Sequence, residues 1–224
     1  TKKAVQYFRE ASRLAQQAAT IGGLKTTPLP FVESTARGLL DEAEIEAQSL
    51  DVWWVTRFWK FSGHEFPKPF AIVFPRSTDE VSRVVRFCRE HRIPLVPRGG
   101  GAGDSGGAAP IHGGITLDMK RMDKIIAINE RSLTVRAQTG IIQKHLEERL
   151  NRKGYTMNHF PASFTTSTLG GFISTNGTGV LSSKYGKMSD MVHQLEAVLP
   201  DGSIFKSLPV RLHWHDVAQG VDER

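Results

Sequence analysis

Two hydrophobic periods succeed one another along the chain. Val5, Phe8, Ala11, Leu14, Ala15 and Ala18 recur at helical spacing and predict an amphipathic helix over 3–20, ended by Gly22-Gly23. A second helical pattern runs over 34–50. The period then shortens. Ala71-Ile72-Val73-Phe74 is a brief apolar run that predicts a buried strand closed by Pro75. Ser77-Thr78-Asp79-Glu80 has the form of a capping box, with a hydroxyl able to accept from the first turn and a carboxylate able to reach back. Val81, Val84, Val85 and Cys88 follow at helical spacing to about His91, which places Cys88 in a core. Pro94-Leu95-Val96-Pro97 predicts a second strand. Strand, helix and strand with short links make a βαβ unit, and such a unit implies parallel pairing.

Further strands are expected at Ile115–Asp118, Lys124–Asn129 and Ser132–Ala137. A helix is expected over 140–153, with Ile141, Ile142, His145, Leu146 and Leu150 as its apolar stripe and Gly154 as its cap. Leu195–Leu199 and Ile204-Phe205 flank the turn Pro200-Asp201-Gly202-Ser203 and predict a hairpin. Between the helix and the hairpin, Pro161–Gly179 is rich in Ser, Thr and Gly and reads as a loop plus a short helix. Trp53, Trp54, Phe58, Trp59 and Phe61 cluster ahead of the first strand. They could stack bases, face a partner, or anchor the N-terminal arm to the main domain. No basic stripe accompanies them, and this favours the anchor. The expected domains are a helical N-terminal extension over 1–65 and a main domain over 66–224.

Composition narrows the function classes. The chain has 224 residues, 39% hydrophobic and 23% charged, which is ordinary for a folded globular protein. No apolar run reaches the roughly 18 residues of a membrane-spanning helix, so a membrane-spanning protein is not expected. The net charge of +6 comes from lysines and arginines interleaved with acids, as around Glu147 and Arg149, not from a basic face suited to nucleic acid. Cys88 is the one cysteine, and His213 and His215 alone make no metal site. No metal and no nucleic-acid partner is expected, and a cytoplasmic location, or one peripheral to a membrane complex, fits.

The segment Pro97-Arg98-Gly99-Gly100-Gly101-Ala102-Gly103, continuing through Ser105 to Gly107, carries the clearest chemistry. Consecutive glycines let backbone N–H groups approach a ligand closely, and a run of such donors suits an anion such as a pyrophosphate. Ser105 adds a hydroxyl and Arg98 a cation. No lysine follows at the spacing of a Walker loop. Gly101-Ala102-Gly103-Asp104-Ser105-Gly106 matches the Rossmann spacing, but Gly107-Ala108-Ala109-Pro110 cannot open the helix which that fingerprint requires.

Four motifs in order then carry a family resemblance. They are Phe74-Pro75-Arg76-Ser77 with Glu80-Val81; Pro97 to Gly101 with Ser105-Gly106-Gly107; Pro161 with Ser167-Thr168-Leu169-Gly170-Gly171 and Thr175-Asn176; and Lys184-Tyr185-Gly186 with Asp190-Met191-Val192 before Pro200-Asp201-Gly202. From about Pro69 to Phe205 the chain resembles the FAD-binding domain of the vanillyl-alcohol oxidase/p-cresol methylhydroxylase superfamily. Within it the likeness is to the FAD-linked oxidases related to glycolate oxidase, D-lactate dehydrogenase and alkyldihydroxyacetonephosphate synthase. The resemblance implies an α+β fold of the p-cresol methylhydroxylase type, with a parallel βαβ subdomain, a mostly antiparallel second one, and FAD between them.

It also implies roles. Pro97, Arg98, Gly99, Gly100, Gly101, Ala102, Gly103 and Ser105 would wrap the FAD pyrophosphate. Pro161, Ser163, Thr168, Gly170, Gly171, Thr175, Asn176 and Gly177 would line the phosphates, ribityl chain or isoalloxazine, with Tyr185 and Gly186 close behind. Some relatives attach FAD to a histidine of the glycine loop. None lies between Arg98 and Ala109 here, so binding is expected to be non-covalent. Family members continue to a substrate cap that carries the catalytic residues. The chain is therefore expected to be a truncated flavin-binding portion whose catalytic residues lie beyond Arg224. Three activities remain open: hydride transfer from a small 2-hydroxy acid to flavin, electron transfer by a subunit without its own substrate site, and exchange chemistry of the alkyldihydroxyacetonephosphate synthase kind. Expected partners are a small-molecule substrate and an electron-acceptor protein or further subunit.

Overall fold

The structure, a computed structural model, describes residues 42–69 and 71–209. The helix expected over 3–20, the start of the one expected over 34–50, and His213 and His215 lie outside the described residues. Two short helices come first, α1 (Glu42–Ser49) and α2 (Trp54–Phe61). Strand β1 (Ala71–Val73) leads through α3 (Thr78–Glu90) to β2 (Leu95–Arg98), and β3 (Ile115–Asp118) follows the glycine loop. These three strands form one parallel sheet in the order β1-β3-β2. The parallel direction matches the βαβ expectation, but β1 and β2 each pair with β3 and not with one another. Burial shows why: Ile115, Thr116, Leu117 and Asp118 are all buried, as a central strand covered on both faces must be. Pro97, which has no N–H to give a ladder, is accommodated because β2 is an edge strand.

Helix α3 starts as its sequence predicts. Ser77 accepts from the Glu80 N–H at 3.3 Å, while Glu80 reaches back to the Arg76 N–H at 2.8 Å. Its apolar stripe, Val81, Val84 and Cys88, packs with Ala71, Val73, Ile115, Leu117 and Met122 into a first core. Burial pushes the Cys88 thiol up to about 12, so the side chain behaves as an apolar filler.

A second core is built separately. Strands β4 (Ile125–Asn129) and β5 (Thr134–Ala137) pair antiparallel, with a bulge between Ile125 and Ala127. Against them pack α4 (Gln143–Asn151), α5 (Leu169–Ser174) and α7 (Met188–Met191), with α6 (Ser182–Tyr185) between the last two. Ile141, Leu146, Leu150, Leu169, Phe172 and Met188 are its buried members. Helix α4 begins later than its sequence pattern, because Gly140 is held against the Met119 backbone in a turn. The stripe also differs from expectation: His145 is exposed, and Glu147 is buried in its place. Glu147 accepts from the Met157 N–H and the Thr156 hydroxyl, which satisfies its carboxylate without a cation. The hairpin β6 (Glu196–Val198) and β7 (Ile204–Lys206) returns to the first core, where Ser82 donates to the Gly202 carbonyl at 2.5 Å. Two cores, one around a parallel sheet and one around an antiparallel pair, give the α+β, two-subdomain architecture.

Candidate cofactor site

The glycine loop leaves β2 at the edge of the first core, and the Ser/Thr/Gly segment enters α5 at the edge of the second. They meet. A Cβ on Gly100 would stand 2.7 Å from the Thr166 carbonyl carbon and 3.3 Å from Ser167 Cα. A Cβ on Gly99 would overlap the Thr168 hydroxyl. These two glycines are therefore required by protein–protein approach, because real Cβ contacts are never so short.

The second segment is pinned to the start of α4. Gln143 N–H donates to the Ser167 carbonyl at 3.0 Å, and its amide Nε2 to the Ser167 hydroxyl at 2.6 Å. Leu169 N–H donates to Ile141 O and Gly170 N–H to Thr139 O, at 2.9 and 2.7 Å. Thr168 is buried and caps α5 by accepting from Gly171 N–H at 3.3 Å.

The donor inventory separates the two segments. Among the described residues, no backbone N–H from Gly100 to Ala108 donates to another residue. Gly103, Asp104, Ser105 and Gly107 are exposed, and around Gly103 and Gly107 a Cβ would meet nothing within 4 Å. The Gly170 and Gly171 N–H groups, by contrast, are already committed within the protein. A row of unpaired N–H groups on a glycine-rich loop is a donor set that suits a diphosphate.

Other expected residues fall into three groups. Pro161 is buried and Ser163 half-buried; both sit in the turn whose carbonyls accept from Phe164, Thr166 and Ser167. Thr175 and Asn176 are exposed at the end of α5, and Gly177 lies against the Phe172 ring. Asn176 adopts a left-handed φ of 47°, and its Oδ1 accepts from Ser189 N–H at 3.0 Å, so that oxygen holds the start of α7. Tyr185 is exposed at the end of α6, and Gly186 packs on the Asp190 side chain.

Ala102 lies half-buried in the loop, and the Ser105 hydroxyl turns to Asp104 Oδ1 at 3.3 Å. Arg98 does not extend outward as the free cation its position in the loop invites. It is 7% exposed, its Nη2 donates to Leu50 O at 2.7 Å, and its guanidinium lies beneath Gly101. Burial lowers its pKa, while Asp118 and Asp51 oppose that shift.

Three further residues stand at or near this junction, and of these sequence reasoning missed the role of Asp51. Trp53, of the aromatic cluster read as an anchor of the N-terminal arm, lies directly against Gly106. Asp51 fixes the turn ahead of α2 by accepting from Trp53 N–H at 3.0 Å; an Asp three residues ahead of a helical run was the available signal. His159 is buried, with Nε2 3.4 Å from Gly177 O and its ring edge on Phe172.

A family described as FAD binding domain matches residues 69–207. The chain belongs to this FAD-binding family. FAD is its cofactor, and the donor set of the glycine loop fits the diphosphate of that molecule. The chain is 41% identical over 139 residues to glycolate oxidase subunit GlcD of Bacillus subtilis (strain 168), covering 62% of this chain and 30% of that protein. It superposes on alkyldihydroxyacetonephosphate synthase with a TM-score of 0.70 at 29% identity, over 83% of this chain and 38% of the other. It superposes on p-cresol methylhydroxylase at 0.63 and 24% identity, over 75% of this chain and 32% of the other, which shows the shared fold. The chain thus spans well under half the length of the relatives it matches. The aromatic residues Trp54, Phe58 and Phe61 are exposed, and among the described residues no helix is long and apolar enough to cross a membrane.

Proposed function

We propose that this chain is the flavin-binding part of an FAD-dependent oxidoreductase that acts on a small 2-hydroxy acid and holds FAD without a covalent bond. The observation that carries the cofactor half is the row of unpaired N–H groups from Gly100 to Ala108, braced from behind by Thr166 to Thr168. FAD, when bound, supplies the hydride acceptor, and the protein supplies position and electrostatics. The glycine loop provides main-chain donors to the two phosphates, which removes the need for a lysine. The second segment acts as a wall: its own N–H groups at Gly170 and Gly171 are spent on Thr139 and Thr168, so it shapes the loop and bounds the cofactor by packing. Thr175 and Asn176 are exposed past the C-terminal end of α5; the Thr175 hydroxyl donates to the Gly171 and Phe172 carbonyls and Asn176 Oδ1 accepts from Ser189 N–H, so the Asn176 amide NH2 is the group left to meet the ribityl chain or ring system. The absence of histidine between Arg98 and Ala109 supports non-covalent attachment.

Kinship to glycolate oxidase subunit GlcD supports the 2-hydroxy-acid class. The superposition on alkyldihydroxyacetonephosphate synthase, which covers more of this chain, supports a second reading as a non-redox transferase. Two measurements test the proposal. Purified protein should be yellow, and acid precipitation should leave the colour in the supernatant; colour in the pellet refutes non-covalent binding. Anaerobic addition of glycolate or lactate to the full-length protein should bleach the flavin band. Absence of bleaching by any hydroxy acid refutes the substrate class and favours the transferase reading.

A further inference from the structure

The two ends of the cofactor loop are gripped from outside the domain that the family match delimits. Trp53 and Leu50 precede residue 69, where that match begins. A Cβ on Gly106 would stand 2.7 Å from Trp53 Cε3 and 2.9 Å from Cδ2, so the indole lies directly against the loop backbone. Gly106 has φ +76°, so at this point the chain turns through a conformation suited to glycine while pressed on the ring. At the other end, Gly101 rests on the Arg98 guanidinium, whose Nη2 is tied to Leu50 O at 2.7 Å. Leu50 and Trp53 are held in one fixed turn. Asp51 Oδ1 accepts from Trp53 N–H at 3.0 Å and from Thr56 Oγ1 at 3.3 Å, and Thr56 Oγ1 also lies 2.8 Å from Trp53 O. Trp53 is backed by the edge-on ring of Trp59, with centroids 6.1 Å apart.

We infer that the Leu50–Thr56 turn is a clamp that pre-forms the cofactor loop, with Trp53 and Arg98 as positioning residues for FAD. The inference rests on the assignment of that loop to FAD. Between Gly101 and Gly106 the loop has no internal backbone hydrogen bonds among the described residues, so its shape depends on what grips its ends. A loop with several accessible shapes binds through the fraction that is competent, and apparent affinity falls by that fraction. The clamp raises the fraction by fixing both ends, and it leaves the intervening N–H groups free.

The test uses the 224-residue chain stripped of flavin and titrated with FAD, read by flavin fluorescence well below the melting temperature. Trp53→Ala should weaken FAD binding about tenfold or more, and Trp53→Phe, which keeps a flat ring on Gly106, should restore most of it. Arg98→Lys, which keeps the charge but cannot span from Gly101 to Leu50, should weaken binding in the same way. Should W53A not fold, Trp53→Leu against Trp53→Phe gives the same comparison. Equal FAD affinity in wild type and W53A overturns the clamp, as does loss that phenylalanine does not rescue. A separate readout needs no cofactor: Gly106→Ala should lower Tm less in the W53A background than in wild type, because the clash with the indole is gone. Equal losses overturn the contact itself. Failure of the wild-type chain to take up FAD is seen before any substitution; it refutes the loop's assignment, and the clamp's role in FAD binding with it.

Discussion

Gly100 and Gly103 are three residues apart in one loop, yet alanine at each should do opposite things. At Gly100 a Cβ would overlap the Thr166 carbonyl oxygen and stand 2.7 Å from its carbon. The obstacle is backbone held by the hydrogen bonds that pin Ser167 and Leu169 to the start of α4, so no side-chain rotation can relieve it. Gly100 does not have positive φ, so backbone strain contributes nothing and the cost is steric alone. Overpacking of this kind costs typically about 1–3 kcal/mol, and a rigid obstacle puts it at the upper end, about 3 kcal/mol. Against this stands a gain of about 0.4–1 kcal/mol from the stiffer unfolded chain. The net loss is about 2 kcal/mol, a fall in Tm of about 4–8 °C for a domain of this size. At Gly103 a Cβ meets nothing within 4 Å and φ is again not positive, so only the small unfolded-state gain remains. G103A should therefore melt with wild type or slightly above it. It should nevertheless bind FAD about tenfold or more weakly, because a methyl group on the exposed face keeps the phosphates from the N–H row. Thermal melts of the flavin-free proteins and FAD titrations measure the two effects separately. If G100A is as stable as wild type, the two segments do not pack as described. If G103A binds FAD with wild-type affinity, the N–H row does not face the phosphates.

Leu146, fully buried in the second core, should cost about 3 kcal/mol when replaced by alanine, read as a shift of the urea midpoint at unchanged slope. Thr168→Ala should cost about 1 kcal/mol through loss of the α5 cap, while Thr168→Ser should retain most of the stability. Cys88 should resist iodoacetamide at pH 8 in the folded protein and react once unfolded. Its folded pKa of about 12 lies above the unfolded value, so between roughly pH 9 and 12 the unfolded state loses its proton first. Stability should then fall as pH rises through that window, by at most about 1.4 kcal/mol per pH unit from this group; C88A, with no thiol to titrate, should lack that component.

Elements whose signal is local were legible in the sequence. The Ser77 cap, the Val81–Cys88 stripe and the β6–β7 turn each depend on residues within a few positions, and each stands where its pattern placed it. Non-local outcomes were not legible. Nothing in Ile115–Asp118 says that this strand lies between β1 and β2: Ile115 and Leu117 alternate with Thr116 and Asp118, the pattern of a half-exposed strand, yet all four are buried. His145 has helical phase with Leu146 and Leu150 but is exposed. Glu147 is buried instead because Thr156 and Met157, across the turn at Gly154, supply the hydrogen bonds that a buried carboxylate needs. Arg98 is the sharpest case at the site. In the string it is a cation beside a phosphate loop, and only the fold shows it drawn inward by Leu50, Asp51 and Asp118.

That inward turn changes how the site must work. With Arg98 committed beneath Gly101, the loop from Gly99 to Ala109 presents no lysine or arginine to a diphosphate, and Asp104 adds a negative charge on its exposed face. Under the proposed assignment of this loop to the FAD diphosphate, attraction comes from oriented main-chain dipoles at short range, not from a long-range cationic field. Such dipoles act within a few ångströms and are weakly screened by salt, whereas pairs of exposed full charges are screened over about 10 Å at 0.1 M. FAD affinity should therefore change little between 50 mM and 500 mM NaCl, and Asp104→Asn should strengthen binding most at the low end of that range. A steep loss of affinity with salt would mean that cations outside this loop hold the phosphates, and the N–H row would lose its role.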